Sequence, residues 1–151
     1  MKGAPFYKMS EIEKPKGFEK ALKDRIFETF GKVPFVQLIG MELVALEIGE
    51  ARIKLDMRDE LRQPYGLLHG GATASLIDTA TAFAILGNLA EGEMASTVDL
   101  TIQYLRPHTT GAITCTAKVT RAGKRLLFVS AEVANEEGKL VATALSTYTK
   151  V

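Results

Sequence analysis

The sequence predicts an α+β fold in which an antiparallel sheet wraps around one long central helix, with an extra helix in front. Three observations carry this. One stretch of helical length, His69 to Leu89, is almost uncharged. Six segments read as strands, two before that stretch and four after it. Most neighbouring strands are separated by short glycine-bearing turns, so they pair as hairpins and therefore antiparallel. A helix with so little charge must be covered on most sides, and a curved sheet is the simplest cover.

The elements follow in order. Met1 to Lys16 is charged, carries two prolines and has no hydrophobic period, and reads as a flexible lead-in (1–16) to a single domain over 17–151. From Gly17 to Phe30 the apolar residues Phe18, Leu22, Ile26, Phe27 and Phe30 fall at helical spacing, and Gly31 supplies a stop. Val33 to Ile39 is a short apolar connector. Met41 to Ile48 and Ala51 to Met57 flank Gly49-Glu50 as a hairpin, and Arg58 to Gly66, with Pro64 and Gly66, is a loop. The long helix runs from about His69 to Leu89. Ala95 to Arg106, Ala112 to Arg121, Arg125 to Ala134 and Leu140 to Thr149 are the remaining strands. In the first of these, Val98, Leu100, Ile102 and Tyr104 alternate with Thr97, Asp99, Thr101 and Gln103, which puts Ser96 on the face of Leu100, toward the helix.

Bulk properties set the class. The chain has 151 residues, 46% hydrophobic and 25% charged, an ordinary soluble balance with room for one core. A formal charge of +1 creates no field that gathers nucleic acid or anionic membrane. The aromatics are scattered and no basic stripe accompanies them. The first residues lack the apolar core of a signal peptide, and Asp78 interrupts the longest apolar stretch, which argues against a membrane span. The single cysteine, Cys115, sits on the apolar face of a strand as a small core residue. A cytoplasmic location is the expectation. Two histidines without cysteine or carboxylate spacing make no metal site, and His108, in a Pro-Thr-Gly loop, reads as exposed and inert.

Chemistry concentrates between His69 and Asp78. Gly70 and Gly71 at a helix start let a ligand approach backbone N–H groups that have no internal partner and lie at the positive end of the dipole. That is a site for a developing oxyanion, with His69 as an adjacent donor; the plainer alternative is a glycine-rich cap. Asp78 stands mid-helix among small and apolar residues, where a carboxylate needs a reason to be. Ser75 and Thr81 lie three residues to either side and offer hydroxyls to it, which would make it merely structural. His69 and Asp78 are nine residues apart. At ~100° and ~1.5 Å per residue they point oppositely and sit roughly 13 Å apart along the axis. If both serve one reaction, two antiparallel helices must supply them, which predicts a dimer with two composite sites.

Gln63-Pro64-Tyr65-Gly66-Leu67-Leu68-His69-Gly70-Gly71, followed by Leu76-Ile77-Asp78-Thr79-Ala80, resembles the hotdog-fold acyl-CoA thioesterases of the phenylacetate-degradation (PaaI-like) type. The similarity continues through Ser96-Thr97-Val98-Asp99-Leu100, Tyr104-Leu105-Arg106-Pro107 and Gly123-Lys124, and covers about Val33 to the C-terminus. The resemblance implies hydrolysis of an acyl-CoA, with Asp78 as general base or nucleophile. It implies that Gly70 or Gly71 polarises the thioester carbonyl with support from His69, and that Ser96 helps position water. Gln63 stands where many members carry Asn; branches acting on aromatic acyl groups can carry Gln there. Ala82 stands where one such branch carries Thr, so aromatic and medium-chain acyl groups both stay open. Arg106 at a strand end, and Arg121, Lys124 and Arg125 at a hairpin, are candidate contacts for the coenzyme A phosphates, or else solvated surface. No cofactor is expected, coenzyme A being part of the substrate. The family assembles as dimers, commonly paired into tetramers. The competing reading is a non-catalytic acyl-CoA or fatty-acid binding domain on the same fold.

Overall fold

The computed structural model describes residues 18–151, so the predicted lead-in lies outside the described residues. Helix α1 spans Lys20–Lys32 and helix α2 spans Pro34–Ile39. Gly31 does not stop α1 but lies inside it. The stop is Pro34, which disfavours helical backbone at the residue before it and leaves Val33 extended at ψ 121°. The same proline opens α2 at its first position, where its missing N–H costs nothing. The expected connector is therefore a short helix. It ends on Gly40 in the left-handed region (φ 81°), whose N–H reaches the Val36 carbonyl at 2.8 Å.

Strands β1 (Met41–Glu47), β2 (Glu50–Asp56), β3 (Ala95–Tyr104), β4 (Ala112–Ala122), β5 (Leu126–Asn135) and β6 (Leu140–Lys150) form one antiparallel sheet among the described residues, in the order β1-β2-β4-β5-β6-β3. The central helix α3 spans Gly70–Ala84 and continues as a 3-10 turn over Leu86–Asn88, so the helical stretch bends near Ile85 rather than running straight to Leu89.

The core lies between α3 and the concave face of the sheet. Leu76, Ile77, Ala80 and Ala84 of α3 are fully buried against Ile53, Leu55, Cys115, Leu127 and Val133. Alternation in β4 and β5 sends these side chains inward and threonines, Lys118 and Glu132 outward. Each large aliphatic side chain so buried contributes about 1.5–3 kcal/mol. Alanines on α3 keep it close to the strands. Helix α1 closes one end of this core, where the rings of Phe30 and Phe83 meet edge to face at 4.9 Å. No described helix is long and apolar enough to cross a membrane.

Two features of β3 bear on the site. It is an edge strand, and Val98 and Tyr104 along it, with Met94 just before it, are more than half exposed. Its pairing with β6 also slips between Thr97 and Asp99, leaving Val98 as a bulge. Leu100 and Ile102 face inward opposite Ser146 and Ala144, but past the bulge it is Thr97, opposite Tyr148, that faces inward. Ser96 pairs with Thr149 on the outer face. The expected inward orientation of Ser96 is corrected by this one-residue slip, which exchanges the two faces.

Candidate active site

The segment that leads into α3 is fixed from both sides. Arg62 donates to Asp59 Oδ1 at 2.8 Å and to the carbonyls of Gly66 and Thr109 at 2.6 and 3.0 Å. Gly66, at φ 79°, closes a tight turn by donating to the Gln63 carbonyl at 2.9 Å. The Gln63 side-chain Oε1 accepts from the Tyr65 N–H at 2.8 Å, which leaves the amide NH2 for the cleft beside it. Leu68 donates to the His108 carbonyl and His69 to the Leu61 carbonyl, both at 2.8 Å. The first turn of α3 is thus held in place before its own hydrogen bonds begin.

His69 is the N-cap, and its Nδ1 accepts the Gly71 N–H at 2.9 Å. A ring nitrogen that accepts carries no proton, so the proton of the neutral ring sits on Nε2, which has no acceptor among the described residues. The N–H groups of Ala72 and Thr73 point back to the His69 carbonyl at 2.9 and 3.3 Å. Among the described residues the Gly70 N–H has no acceptor. The donor left open at this helix start is therefore that of Gly70, while that of Gly71 is occupied.

Tyr104 was not singled out from sequence. Its hydroxyl donates to the Gly70 carbonyl at 2.9 Å, and a methyl placed on Gly70 would sit 3.4 Å from its ring. The tyrosine from the edge strand lies flush against the glycine whose N–H is open. Together with Gln63, Leu67, Thr73 and His108 it lines a cleft of about 330 Å³. His108 is buried, against expectation, with Nε2 3.2 Å from the Gly111 carbonyl. Loop composition made it look exposed, but the loop folds under the Gln63 turn.

Asp78 lies two turns further along α3 and is exposed in the single chain. The neighbouring hydroxyls do not bind its carboxylate: Ser75 Oγ donates to the Gly71 carbonyl and Thr81 Oγ1 to the Asp78 carbonyl, at 2.9 and 3.0 Å. The carboxylate contact comes instead from β3, where Thr97 Oγ1 stands 3.4 Å from Asp78 Oδ1. Gly70 and Asp78 are eight positions apart on α3, so the Gly70 N–H and this carboxylate are separated by roughly 12 Å along the axis. One chain does not bring them to one carbonyl.

The candidate phosphate contacts are also divided. Arg106 is exposed beside the Gln63 cleft and donates to the Leu140 carbonyl at 2.6 Å. Arg121, Lys124 and Arg125 are exposed at the β4–β5 turn, at the other end of the sheet. About 30 Å separates the ends of a strand as long as β3. Arg106 thus accompanies Gly70, and the hairpin cations accompany the Asp78 end.

Residues 65–142 match the thioesterase superfamily. Human acyl-coenzyme A thioesterase 13 is 34% identical over a match covering 75% of this chain and 82% of that protein. The medium/long-chain acyl-CoA thioesterase YigI of Escherichia coli is 30% identical, with 77% and 84% covered. The solved structure of the E. coli PaaI protein, from the phenylacetic acid degradation operon, superposes with a TM-score of 0.78 at 25% identity, covering 85% of this chain and 92% of that one.

Proposed function

This chain belongs to the thioesterase superfamily and is a hotdog-fold thioester hydrolase, and we propose that it cleaves an aromatic or medium-chain acyl-CoA to the free acid and coenzyme A in a homodimer with shared sites. The observation that carries the site assignment is the open Gly70 N–H at the start of α3, in a cleft that Gln63 also lines, with the His69 imidazole capping the same turn. An open N–H at a helix start suits the oxygen of a thioester carbonyl, and it binds that oxygen most strongly when it becomes an oxyanion.

The second half-site is Asp78. Acting as general base, it takes a proton from water as the water oxygen attacks the carbonyl carbon, with Thr97 steadying the carboxylate. The tetrahedral intermediate then expels the coenzyme A thiolate, and the proton held by Asp78 passes to the sulfur. Acting instead as nucleophile, Asp78 attacks the carbonyl carbon and expels the coenzyme A thiolate to leave a mixed anhydride, which water hydrolyses to the free acid and the regenerated carboxylate. In either case the carboxylate must come from a partner subunit. The free edge of β3, the exposed apolar residues along it and the exposed Asp78 are the surfaces such a partner would cover. An antiparallel partner would also bring its hairpin cations to the Arg106 end of this chain, giving the coenzyme A phosphates two sources of positive charge. Pairing of dimers into a tetramer and a cytoplasmic location belong to the same reading.

The acyl group rests on less. YigI and the PaaI protein point in the two directions that Gln63 and Ala82 already do. A panel of aryl- and alkyl-CoA esters, followed by thiol release, decides between them; release from none of them would refute the acyl-CoA assignment. For the shared sites, inactive His69→Ala and Asp78→Ala chains are refolded together. Random pairing gives one intact site in half the dimers, so about a quarter of wild-type activity returns. No recovery would count against sites shared between subunits.

A further inference from the structure

We infer that Tyr148 is a positioning residue for the hydrolytic carboxylate, gripping Asp78 by its main chain while Thr97 grips it by its side chain. Thr97 and Tyr148 are register partners on adjacent strands β3 and β6, both facing α3. Thr97 Oγ1 lies 3.4 Å from Asp78 Oδ1, and the Tyr148 hydroxyl donates to the Asp78 carbonyl at 3.3 Å. The same hydroxyl lies 2.8 Å from Thr81 Oγ1, which itself reaches the Asp78 carbonyl at 3.0 Å. One cross-strand pair therefore ties both polar ends of a single helical residue to the sheet.

Tyr148 is 2% exposed, so its hydroxyl is largely removed from water and finds its partners inside the protein. Burial also pushes its pKa up, which keeps the phenol protonated and able to donate. A phenylalanine would fill the same space among its apolar neighbours without that demand. The carbonyl it serves sits mid-helix and needs no extra donor for helix formation. What the extra bonds do is fix the distance and rotation of α3 relative to β3 at the level of Asp78. The bulge at Val98 interrupts the ladder beside Thr97, so the strand pairing alone holds that residue less firmly there. A general base must be held in hydrogen-bond reach of its water, and small displacements cost rate.

This inference rests on the reading of Asp78 as the catalytic carboxylate, and the test separates the two. Tyr148→Phe keeps the ring and removes the hydroxyl. The expected result is a kcat about tenfold lower, the worth of one well-placed hydrogen bond, with KM within about twofold of wild type. Combined with Thr97→Val, the loss in kcat is less than the product of the two single losses, because the pair acts as a unit. A lowered melting temperature with unchanged kcat would make Tyr148 structural only and overturn the inference. Should Tyr148→Phe fail to fold, Thr81→Val removes the partner at 2.8 Å while keeping volume. It is expected to lower kcat about two- to threefold through a less ordered Tyr148, and an unchanged kcat in a folded Thr81→Val enzyme likewise counts against the proposal. Asp78→Asn is the control: if it keeps wild-type rate, the Asp78 reading fails on its own, whatever Tyr148→Phe does.

Discussion

Thr97, and not Ser96, presents its hydroxyl to Asp78, with Oγ1 3.4 Å from Oδ1. The two hydroxyl residues are adjacent in sequence and on opposite faces of β3. A strict alternation counted back from Leu100 chooses Ser96. The extra residue at Val98 reverses the choice. The carboxylate thus receives its hydrogen bond from a residue that plain strand periodicity assigns to solvent.

The functional consequence is a contrast between neighbours. Thr97→Val removes a donor to the carboxylate and is expected to lower kcat about tenfold, since a hydrogen bond to a charged group contributes roughly 1.5–3 kcal/mol and part of that is replaced by water. Thr97→Ser keeps the hydroxyl and most of the rate. Ser96→Ala is expected to leave kcat within about twofold, because surface changes away from the site have small effects. Steady-state kinetics on one thioester substrate compares all three. Equal losses in Ser96→Ala and Thr97→Val would mean that the bulge does not set the orientation.

His69 combines two duties that substitution can separate. Its Nδ1 caps the Gly71 N–H at 2.9 Å, and in the proposed mechanism its Nε2–H serves substrate. His69→Ala loses both, and the lost cap alone costs about 1 kcal/mol of stability. His69→Asn replaces the cap with a side-chain oxygen but does not reach as far as Nε2. The expected result is a melting temperature close to wild type in His69→Asn, lower in His69→Ala, and kcat/KM reduced in both by about tenfold or more. Thermal denaturation and kinetics on the same preparations check it; full activity in His69→Asn would limit the histidine to capping.

How much of this was legible in the sequence depends on what each residue's neighbours are. The inward face of β4 was readable because Ile113, Cys115 and Ala117 alternate with Thr114, Thr116 and Lys118, and burial follows that alternation. The bulge at Val98 was not readable, because one extra residue in a strand of valine, leucine and threonine leaves no mark in the pattern. Gly31 and Pro34 are both stop signals, three residues apart, and only the backbone restriction at Val33 tells which acts. The open N–H was narrowed to two glycines by helix chemistry and to Gly70 only by the imidazole's rotamer. Tyr104 and Tyr148 reach α3 from distant strands, so their contacts depend on sheet order and not on any local motif. His108 was misjudged for the same reason, its burial being supplied by a loop remote in sequence.

Cys115 predicts a clean assay. It is the sole cysteine and is fully buried, and burial pushes its pKa up to about 12. At pH 8 the reactive thiolate is therefore a negligible fraction of the folded protein. A disulfide reagent that reports free coenzyme A should find no reactive thiol in the folded enzyme and one per chain after denaturation. Rapid labelling of the folded protein would show that β4 opens readily.

Two glycine-to-alanine substitutions are expected to move stability in opposite directions. Gly87, in the turn after α3, is crowded: a methyl there would lie 2.9 Å from Ile48 Cγ1, 3.0 Å from Phe18 Cζ and 3.1 Å from the Ile48 Cα. One of those atoms is backbone, so the contact cannot be relieved by rotating a side chain alone. Overpacking of this kind costs about 1–3 kcal/mol, which for a chain of this size lowers the melting temperature by roughly 2–10 °C. Gly31 lies in the last turn of α1 with nothing within 4 Å of the added methyl and without a positive φ. Alanine there restricts the unfolded chain at no steric cost and should stabilise by a few tenths to about 1 kcal/mol, less if the helix end frays. Calorimetry of the two variants tests both signs. A stabilised Gly87→Ala would mean that Phe18 and Ile48 pack against the end of α3 less closely than 3 Å-scale contacts require.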